Sequence, residues 1–352
     1  MNVLLFVAAA LASPTQIAGT DGANLQRPSW SPDGQQLAYE ANFHEEKRVE
    51  LHVGDPTTGA WQKVSTSSAA PSSLTAGFAK TTAGRVVQEL SWGPTDIGRF
   101  VYSAANDSKD YDLYISGGSA VAPGPSPDGG PAWSLDGRYI VFTSARSGEG
   151  DLYTVDVHAI DQDPARITDM ADSSELFATW SPAGAIAFVA HTKTGDNIYV
   201  VPSLGMPPKQ LTDWQGSQIR PSFSPNGEQV AFYANYKDRD RFDLYVTNVT
   251  GDETQQVAKG VVPDLSGPSW TPDGRHLLFV KDDNAAYDPL MAVPVGNPDA
   301  ALSLDLGTVG NGDLAVAERN GKLWLAWVAQ GQRSDDERSF ARLFLDELPA
   351  LP

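Results

Sequence analysis

A short motif, made of an aromatic residue, a tight turn and an apolar run, recurs six times along the chain. It reads RPSWSPDGQQLAYE at residues 27–40 and PSWTPDGRHLLFVK at residues 268–281. Successive aromatic positions are 41 to 47 residues apart, except for an interval of 62 after the first. A period in the forties indicates a chain built from repeated units of short strands. The six aromatic positions are Trp30, Trp92, Trp133, Trp180, Phe223 and Trp270.

Each unit contains four short apolar runs separated by turn residues. In the third unit these runs are GPAWS, YIVFTS, DLYTVDV and ARITD, between residues 130 and 169. Runs of this length, bounded by Gly, Pro and Asp, predict β-strands, and no stretch has the period of an amphipathic helix of three turns. The sequence therefore predicts an all-β chain whose four-stranded units are the blades of a β-propeller.

Residues near the two ends of the chain predict how the ring closes. Three strand-like runs, DLAVAE, LWLAWVAQ and ARLFLDE, follow the sixth unit between residues 313 and 347. Thr15–Ala18 lines up with the fourth strand of a unit but has no unit of its own. We predict a seventh blade made of the three C-terminal strands and this N-terminal one, which leaves no open sheet edge. The alternative is six blades followed by a C-terminal extension.

The chain is predicted to form a single propeller domain over residues 13–352 and to be a monomer. The long first interval contains a Ser/Thr/Ala-rich segment, which predicts an inserted loop at residues 66–85. Residues 1–12, MNVLLFVAAALA, predict either a signal peptide or a hydrophobic strand. This run is too short to cross a bilayer, and no other stretch of about 18 apolar residues occurs.

Charge and cysteine content exclude several classes of function. The formal net charge is −19, so the surface repels a phosphate backbone and nucleic-acid binding is not expected. The chain has no cysteine, which excludes disulfides, thiolate metal sites and cysteine nucleophiles. An acidic surface remains compatible with divalent cations and with basic patches on partner proteins.

The repeat also carries a family resemblance. The pattern W-S-P-D-G, an apolar strand, a polar turn and D-[LI]-Y resembles the WD40-like PD40 repeats of TolB-type β-propellers. The resemblance covers the chain from about residue 14. It does not extend to the N-terminal α/β domain of a complete TolB. It implies an exported propeller, periplasmic or secreted, that presents one face of its ring to a protein or peptide partner.

Candidate site residues come from the positions that the repeat does not keep constant. Ala183 replaces the acid of the SPDG turn in the fourth unit, so this turn is predicted to be structural, and the tryptophans are predicted to pack between blades. The position three residues before each aromatic varies, and we expect it to open the innermost strand at one mouth of the channel. Such variation is typical of a ligand site on a repeat scaffold, and also of an unconstrained loop. The predicted ligand or partner site comprises Arg27, Glu89, Glu175, Phe177, Arg220 and Asp264.

The sequence gives weaker indications of a metal site or of catalytic residues. Acids such as Asp112, Asp151 and Asp243 precede third strands, where they predict either a divalent cation site, for calcium for example, or hydrogen bonds within each hairpin. No other cofactor and no catalytic residue is predicted, because neither a G-x-S-x-G elbow nor an H-E-x-x-H motif occurs. We therefore favour a non-catalytic binding scaffold in the cell envelope. The alternative is a carbohydrate-active enzyme similar to oligogalacturonate lyases, which are propellers with a histidine-bound metal.

Overall fold

The computed structural model of the chain describes residues 14–19, 22–46, 48–68, 90–105, 111–148, 150–282, 288–332 and 340–351. Within these ranges the regular elements are strands, from β1 (Thr15–Ala18) onwards, and one short 3-10 turn at Pro298–Ala300. The all-β prediction is therefore confirmed. No helix in the described part of the chain has the length and hydropathy needed to span a bilayer.

After β1 the strands follow one another in groups of four, each strand pairing antiparallel with the next, and we call each group a unit. Unit 1 contains β2 (Asn24–Trp30), β3 (Leu37–Phe43), β4 (Arg48–Asp55) and β5 (Ala60–Ser68). Unit 2 contains β6 (Leu90–Trp92), β7 (Phe100–Ala105), β8 (Tyr111–Ile115) and β9 (Ser119–Val121). Unit 3 contains β10 (Asp128–Trp133), β11 (Tyr139–Ser144), β12 (Asp151–Asp156) and β13 (Ala165–Arg166).

Three further units are joined into one continuous sheet, because β16 pairs in parallel with β18 and β21 pairs with β23. Unit 4 contains β14 (Ser173–Trp180), β15 (Ile186–Thr192), β16 (Gly195–Val201) and β17 (Lys209–Gln210). Unit 5 contains β18 (Gly216–Phe223), β19 (Gln229–Ala234), β20 (Phe242–Asn248) and β21 (Thr254–Val262). Unit 6 contains β22 (Ser269–Trp270), β23 (His276–Lys281), β24 (Leu290–Pro294) and β25 (Leu302–Leu304).

The two ends of the chain share the last group of strands, which we call the closing unit. It contains β27 (Leu314–Arg319), β28 (Lys322–Ala329), β30 (Arg342–Glu347) and, on its outer edge, β1. Thr15 lies opposite Leu345 and Ala18 opposite Leu343 in this antiparallel pair. The N-terminal strand therefore pairs with the C-terminal sheet, as the sequence predicts. A small ribbon of β26 (Thr308–Val309) and β29 (Gly331–Gln332) lies beside it.

The hydrophobic core lies between neighbouring units, because both faces of the middle strands are buried. In β3, Leu37, Tyr39 and Ala41 pack against side chains of the closing unit, whereas Ala38 points to the opposite face and packs towards unit 2. Side chains alternate between the two faces of a strand, so an unbroken apolar strand supplies two interfaces. Burial between units rather than within them is the packing expected of a propeller.

The SPDG segments form turns that their own side chains close. In unit 1 the Asp33 carboxylate accepts hydrogen bonds from the Ser31 hydroxyl (2.6 Å) and from the Gln35 amide (3.0 Å). Gly34 has φ +65°, and a Cβ there would meet the Glu318 carbonyl oxygen at 2.5 Å. These contacts bear out a structural role for the turn.

Four of the five repeated tryptophans, Trp30, Trp92, Trp180 and Trp270, donate an indole hydrogen bond to a neighbouring unit. The indole N–H of Trp180 donates to the Ala132 carbonyl of unit 3 (3.0 Å), and that of Trp270 donates to the Ser222 carbonyl of unit 5 (3.1 Å). Trp30 makes the same contact with the Ala315 carbonyl of the closing unit (3.2 Å). Trp133 differs, since its indole donates to Gly137 within its own turn. The tryptophans therefore act between units, as predicted from their recurrence.

Three sequence predictions concern residues of which little or nothing is described. Residues 1–12 and Glu89 lie outside the described residues. The predicted insertion at residues 66–85 also lies outside them, apart from residues 66–68, which end β5.

Candidate functional site

A cavity of about 280 Å³ lies where the first strands of units 1 to 5 converge, and we call it the central cavity. Its wall is completed by Leu265 and Ser266, which precede unit 6. Three of the predicted site residues, Arg27, Phe177 and Arg220, line this cavity together. Hydroxyl groups of Ser29, Ser91, Thr179, Ser222 and Ser266 belong to lining residues as well.

Arg27, Phe177 and Arg220 share an unusual backbone conformation. Their φ angles are +53°, +57° and +56°, in the left-handed region that non-glycine residues rarely adopt. The equivalent positions in units 3 and 6 are glycines, Gly130 (φ +61°) and Gly267 (φ +96°). The same turn of the backbone therefore recurs across the repeat, whatever side chain the position carries.

The left-handed residue belongs to a bulge in the innermost strand. Pairing between the first and second strands shifts register between Gln26 and Ser29, and again between Ile219 and Ser222. A bulge inserts an unpaired residue and re-aims its side chain. In units 1, 3, 4 and 5 the variable position therefore lies inside the innermost strand, and there the expectation that it opens this strand is wrong. In unit 6, Gly267 precedes β22. Arg and Phe do not predict a positive φ, so the sequence did not indicate this conformation at Arg27, Phe177 and Arg220. The glycines at the equivalent positions of units 3 and 6 could have indicated it.

Arg27 is held among acidic groups. Its guanidinium Nη1 lies 4.0 Å from the Glu40 carboxylate, and its backbone N–H donates to Asp313 (2.9 Å). The other Glu40 oxygen accepts a hydrogen bond from the Gln26 amide (2.8 Å). Sequence reasoning missed both acids: Glu40 ends the SPDG motif, and Asp313 precedes a strand of the closing unit, where nothing in the motif marks it.

Arg220 is stacked on Phe177. The guanidinium carbon lies 3.8 Å from the centre of the Phe177 ring, which is the geometry of a cation–π contact between units 4 and 5. Arg220 is 6% exposed and Arg27 is 8% exposed. Both charges are therefore held inside the molecule at the cavity wall.

Asp264 is buried next to the cavity and lies close to a half-buried acid, Asp313. Its carboxylate accepts hydrogen bonds from the backbone N–H groups of Ser266 and Leu314, both at 2.7 Å, while Asp313 accepts from Leu265 (3.0 Å). Burial, together with the charge of Asp313, raises the pKa of Asp264 well above its usual range. These bonds tie the residues before unit 6 to the closing unit.

Glu175 lies away from the central cavity wall. It is fully buried, and its carboxylate accepts hydrogen bonds from Thr168 (2.8 Å) and Ser173 (2.5 Å). Burial raises the pKa of Glu175 to about 7, and the nearby Asp151 charge acts in the same direction. This side chain contributes to packing between units 3 and 4 rather than to the lining of the cavity.

The acids proposed as cation ligands make contacts with neighbouring protein groups. Asp151 pairs with Arg166 (2.9 Å), and Asp243 accepts hydrogen bonds from Gln256 (2.5 Å) and the Gly260 amide (2.9 Å). In the described ranges, no three His, Cys, Asp or Glu residues are grouped so that they could hold a metal ion. His191 is hydrogen-bonded to Asp196 (2.5 Å) in the hairpin of unit 4.

Chemically, the central cavity combines two guanidinium groups with one carboxylate, several hydroxyls and one aromatic ring. Its charged lining residues are Arg27, Arg220 and Glu40, which sum to one positive charge in a chain of net charge −19. Arginine offers planar arrays of donors that match carboxylate and phosphate oxygens. The arrangement is suited to binding an anionic or polar group.

Comparison with known proteins supports the resemblance seen in the repeat. Residues 156–287 match the family model described as PD40, TolB beta propeller domain. An uncharacterised protein of Agrobacterium fabrum is 29% identical over 157 residues, which are 42% of this chain and 49% of that protein. The Tol-Pal system protein TolB of Francisella tularensis is 28% identical over 190 residues, 53% of this chain and 42% of that protein. The chain thus spans less than half the length of these two relatives.

Among solved structures, an oligogalacturonate lyase of Vibrio parahaemolyticus superposes with a TM-score of 0.65, covering 96% of this chain and 93% of the lyase. The two sequences are 12% identical, so this similarity shows the fold alone. The repeat, the sheet topology and the sequence matches agree, and the chain is similar to TolB-type β-propeller proteins.

Proposed function

We propose that the protein is an exported, non-catalytic scaffold of the cell envelope, periplasmic or secreted, which binds a protein or peptide partner at the central cavity. The observation that carries this proposal is the left-handed conformation of Arg27, Phe177 and Arg220. Left-handed backbone costs about 1–2 kcal/mol for a residue with a Cβ, and glycine avoids this cost. Strained residues that line a cavity are typical of functional sites.

The repeat frame strengthens this proposal. Unit 3 carries Gly130 at the same position of a strand with the same bulge, so the bulge itself requires no side chain. The large side chains of Arg27, Phe177 and Arg220 are therefore not needed to build the strand. Their presence is explained if they contact a ligand.

The finer architecture is also a proposal. We propose that units 1 to 6 and the closing unit are the seven blades of one closed ring. The N-terminal pairing of β1 with β30 and the contact of Trp30 with Ala315 support closure between the first and last blades. A crystal structure tests this count, and a ring of six blades with a separate C-terminal segment would overturn it.

Partner binding can be tested by affinity capture from envelope extract with purified tagged protein. Arg27→Glu/Arg220→Glu is compared with Arg138→Glu/Arg275→Glu, which makes the same change of charge on the exposed turns of units 3 and 6, where these side chains are 57% and 71% exposed. We expect partners on the wild type and on the turn variant but not on the cavity variant. Equal capture by all three proteins would place the partner site elsewhere.

The competing hypothesis is a carbohydrate-active enzyme. It is supported only by the similarity of this fold to that of the lyase structures.

Cell fractionation tests whether the protein is exported, since the protein should then be found with periplasmic or secreted markers. Recovery with cytoplasmic markers alone would contradict export.

A further inference from the structure

We infer that Asn320, in the turn between β27 and β28, is a site of spontaneous deamidation, and that its reaction loosens the contact between the closing unit and unit 1. In this reaction the Gly321 backbone nitrogen attacks the side-chain carbonyl carbon of Asn320. A new C–N bond forms, and the side-chain nitrogen leaves as ammonia together with the proton of the Gly321 nitrogen. Water then opens the cyclic imide to aspartate or isoaspartate. The inference is independent of the proposed function.

The dipeptide Asn-Gly is the sequence requirement for this chemistry. Glycine has no side chain, so its backbone nitrogen can approach the preceding side chain closely. The chain contains three such dipeptides, at Asn226-Gly227, Asn311-Gly312 and Asn320-Gly321. Their sequences alone do not rank them, but their hydrogen bonds in the folded protein do.

Asn226 replaces the acid of the SPDG turn in unit 5, and the turn holds both reacting groups. Its side-chain oxygen accepts hydrogen bonds from the Ser224 hydroxyl (2.7 Å) and the Glu228 amide (3.1 Å). Its side-chain nitrogen donates to the Glu228 carboxylate (3.0 Å). The Gly227 N–H donates to the Ser224 carbonyl (2.8 Å). The carbonyl carbon and the attacking nitrogen are therefore both fixed by other bonds.

Asn311 is held in a similar way inside the molecule. It is 8% exposed, its side-chain oxygen accepts from the Thr308 hydroxyl (2.6 Å), and its side-chain nitrogen donates to the Asp288 carbonyl (2.9 Å). The Gly312 N–H donates to the Val328 carbonyl (2.8 Å). This dipeptide is therefore protected as well.

Asn320 lacks these restraints. It is exposed at the tip of a two-residue hairpin turn, closed by the pairing of Arg319 with Lys322. Asn320 has φ +53° and Gly321 has φ +72°, as a type I′ turn requires. Within the described part of the chain, neither the Asn320 side-chain amide nor the Gly321 N–H makes a hydrogen bond. The two reacting groups are therefore adjacent and free to meet.

The position of this turn gives the reaction a structural consequence. Arg319 is 9% exposed, and its guanidinium lies 3.4 Å from both the Asp55 carboxylate and the Thr57 hydroxyl of unit 1. Isoaspartate inserts one carbon atom into the main chain, and a turn of exactly two residues sets the register of its hairpin. Formation of isoaspartate at Asn320 should therefore displace the neighbouring Arg319 from its contacts with unit 1.

The test follows ammonia loss at all three asparagines in the same sample. The full chain is incubated at pH 8 and 37 °C, in buffer and in urea, and its chymotryptic peptides are analysed by mass spectrometry over time. In buffer, we expect Asn320 to deamidate at least about tenfold faster than Asn226 and Asn311, whose hydrogen bonds must break first. In urea the three rates should approach one another, because the native hydrogen bonds are absent.

Two variants test the consequence for stability. Asn320→Gly cannot deamidate and keeps the turn, because Gly-Gly also forms a type I′ turn. Asn226→Asp is the matched control, since it removes another Asn-Gly dipeptide and restores the Asp-Gly found in units 1, 3 and 6. Incubation should lower the melting temperature of the wild type and of Asn226→Asp, but not that of Asn320→Gly.

Two results would overturn the assignment of the site: deamidation of Asn226 or Asn311 as fast as that of Asn320 in buffer, or loss of ammonia from Asn320 in urea only. An equal fall in melting temperature for the incubated wild type and incubated Asn320→Gly would overturn the proposed effect on the contact with unit 1.

Discussion

Phe177 has a backbone conformation that is unfavourable for any residue with a Cβ atom. At φ +57° a Cβ is unfavourable, so Phe177→Gly should be more stable than Phe177→Ala by about 1 kcal/mol, although both variants lose the same ring. Urea denaturation measures the difference. Ala187→Gly in β15 is the control, and there glycine should destabilise by about 0.5–1 kcal/mol. Equal stability of the two Phe177 variants would mean that the bulge carries no strain.

Glu175 should make the stability of the protein depend on pH. Its pKa is raised from 4.5 to about 7 in the folded state, so between these values the native state holds a proton that the unfolded state releases. The free energy of unfolding should therefore fall as pH rises from about 4.5 to 7. Glu175→Gln removes this contribution, and at pH 8 it should be more stable than the wild type.

Urea denaturation of the wild type and Glu175→Gln at pH 5 and pH 8 checks this prediction. Subtracting one protein from the other isolates Glu175, because the remaining buried acids, such as Asp128 and Asp264, are common to both. If the two proteins lose the same stability between these pH values, Glu175 is ionised in the native state throughout.

At the scale of the elements, Trp180 contacts unit 3 in two ways, through packing of its ring and through one indole hydrogen bond. The two contributions can be measured separately. Trp180→Phe keeps an aromatic ring but removes the bond to the Ala132 carbonyl, and should destabilise by about 1 kcal/mol. Phe223 occupies the equivalent position of unit 5, so the variant should still fold. Chemical denaturation provides the measurement, and an unchanged midpoint would show that water replaces the indole at no cost.

Elements were predicted from the sequence more completely than the site was. The Asp-Gly turns, the apolar strands and even the short strand Thr15–Ala18 follow from local chemistry, because each needs only its neighbouring residues to be recognised. Arg27 and Arg220 were identified as exceptions within the repeat, and the structure brings them to one cavity. The bulge depends on strand pairing within a unit, whereas the burial of Glu175 and the proximity of Asp264 to Asp313 depend on contacts between units. A single sequence displays neither kind of contact.

At the scale of the whole molecule, the ring closure that we propose depends on the pairing of β1 with β30. A protein lacking residues 1–19 should melt at a lower temperature and associate as its concentration increases, because the outer edge of β30 loses its partner. Removal of residues 1–13 alone, which retains β1, is the matched control. Thermal melting and light scattering check both effects. Identical melting and equal molar masses for the two truncations would show that β1 is dispensable.

The pairing of β1 with β30 also determines when these two strands can come together during synthesis. Residues 15–18 are made well before residues 342–347, and the separation between them corresponds to roughly 15 to 65 seconds at typical rates of synthesis. During that interval the early units can fold against one another, but the proposed ring stays open between its first and last units. β1 therefore cannot pair with β30 until residues 342–347 have been made, and the number of residues between the two strands sets how long it waits.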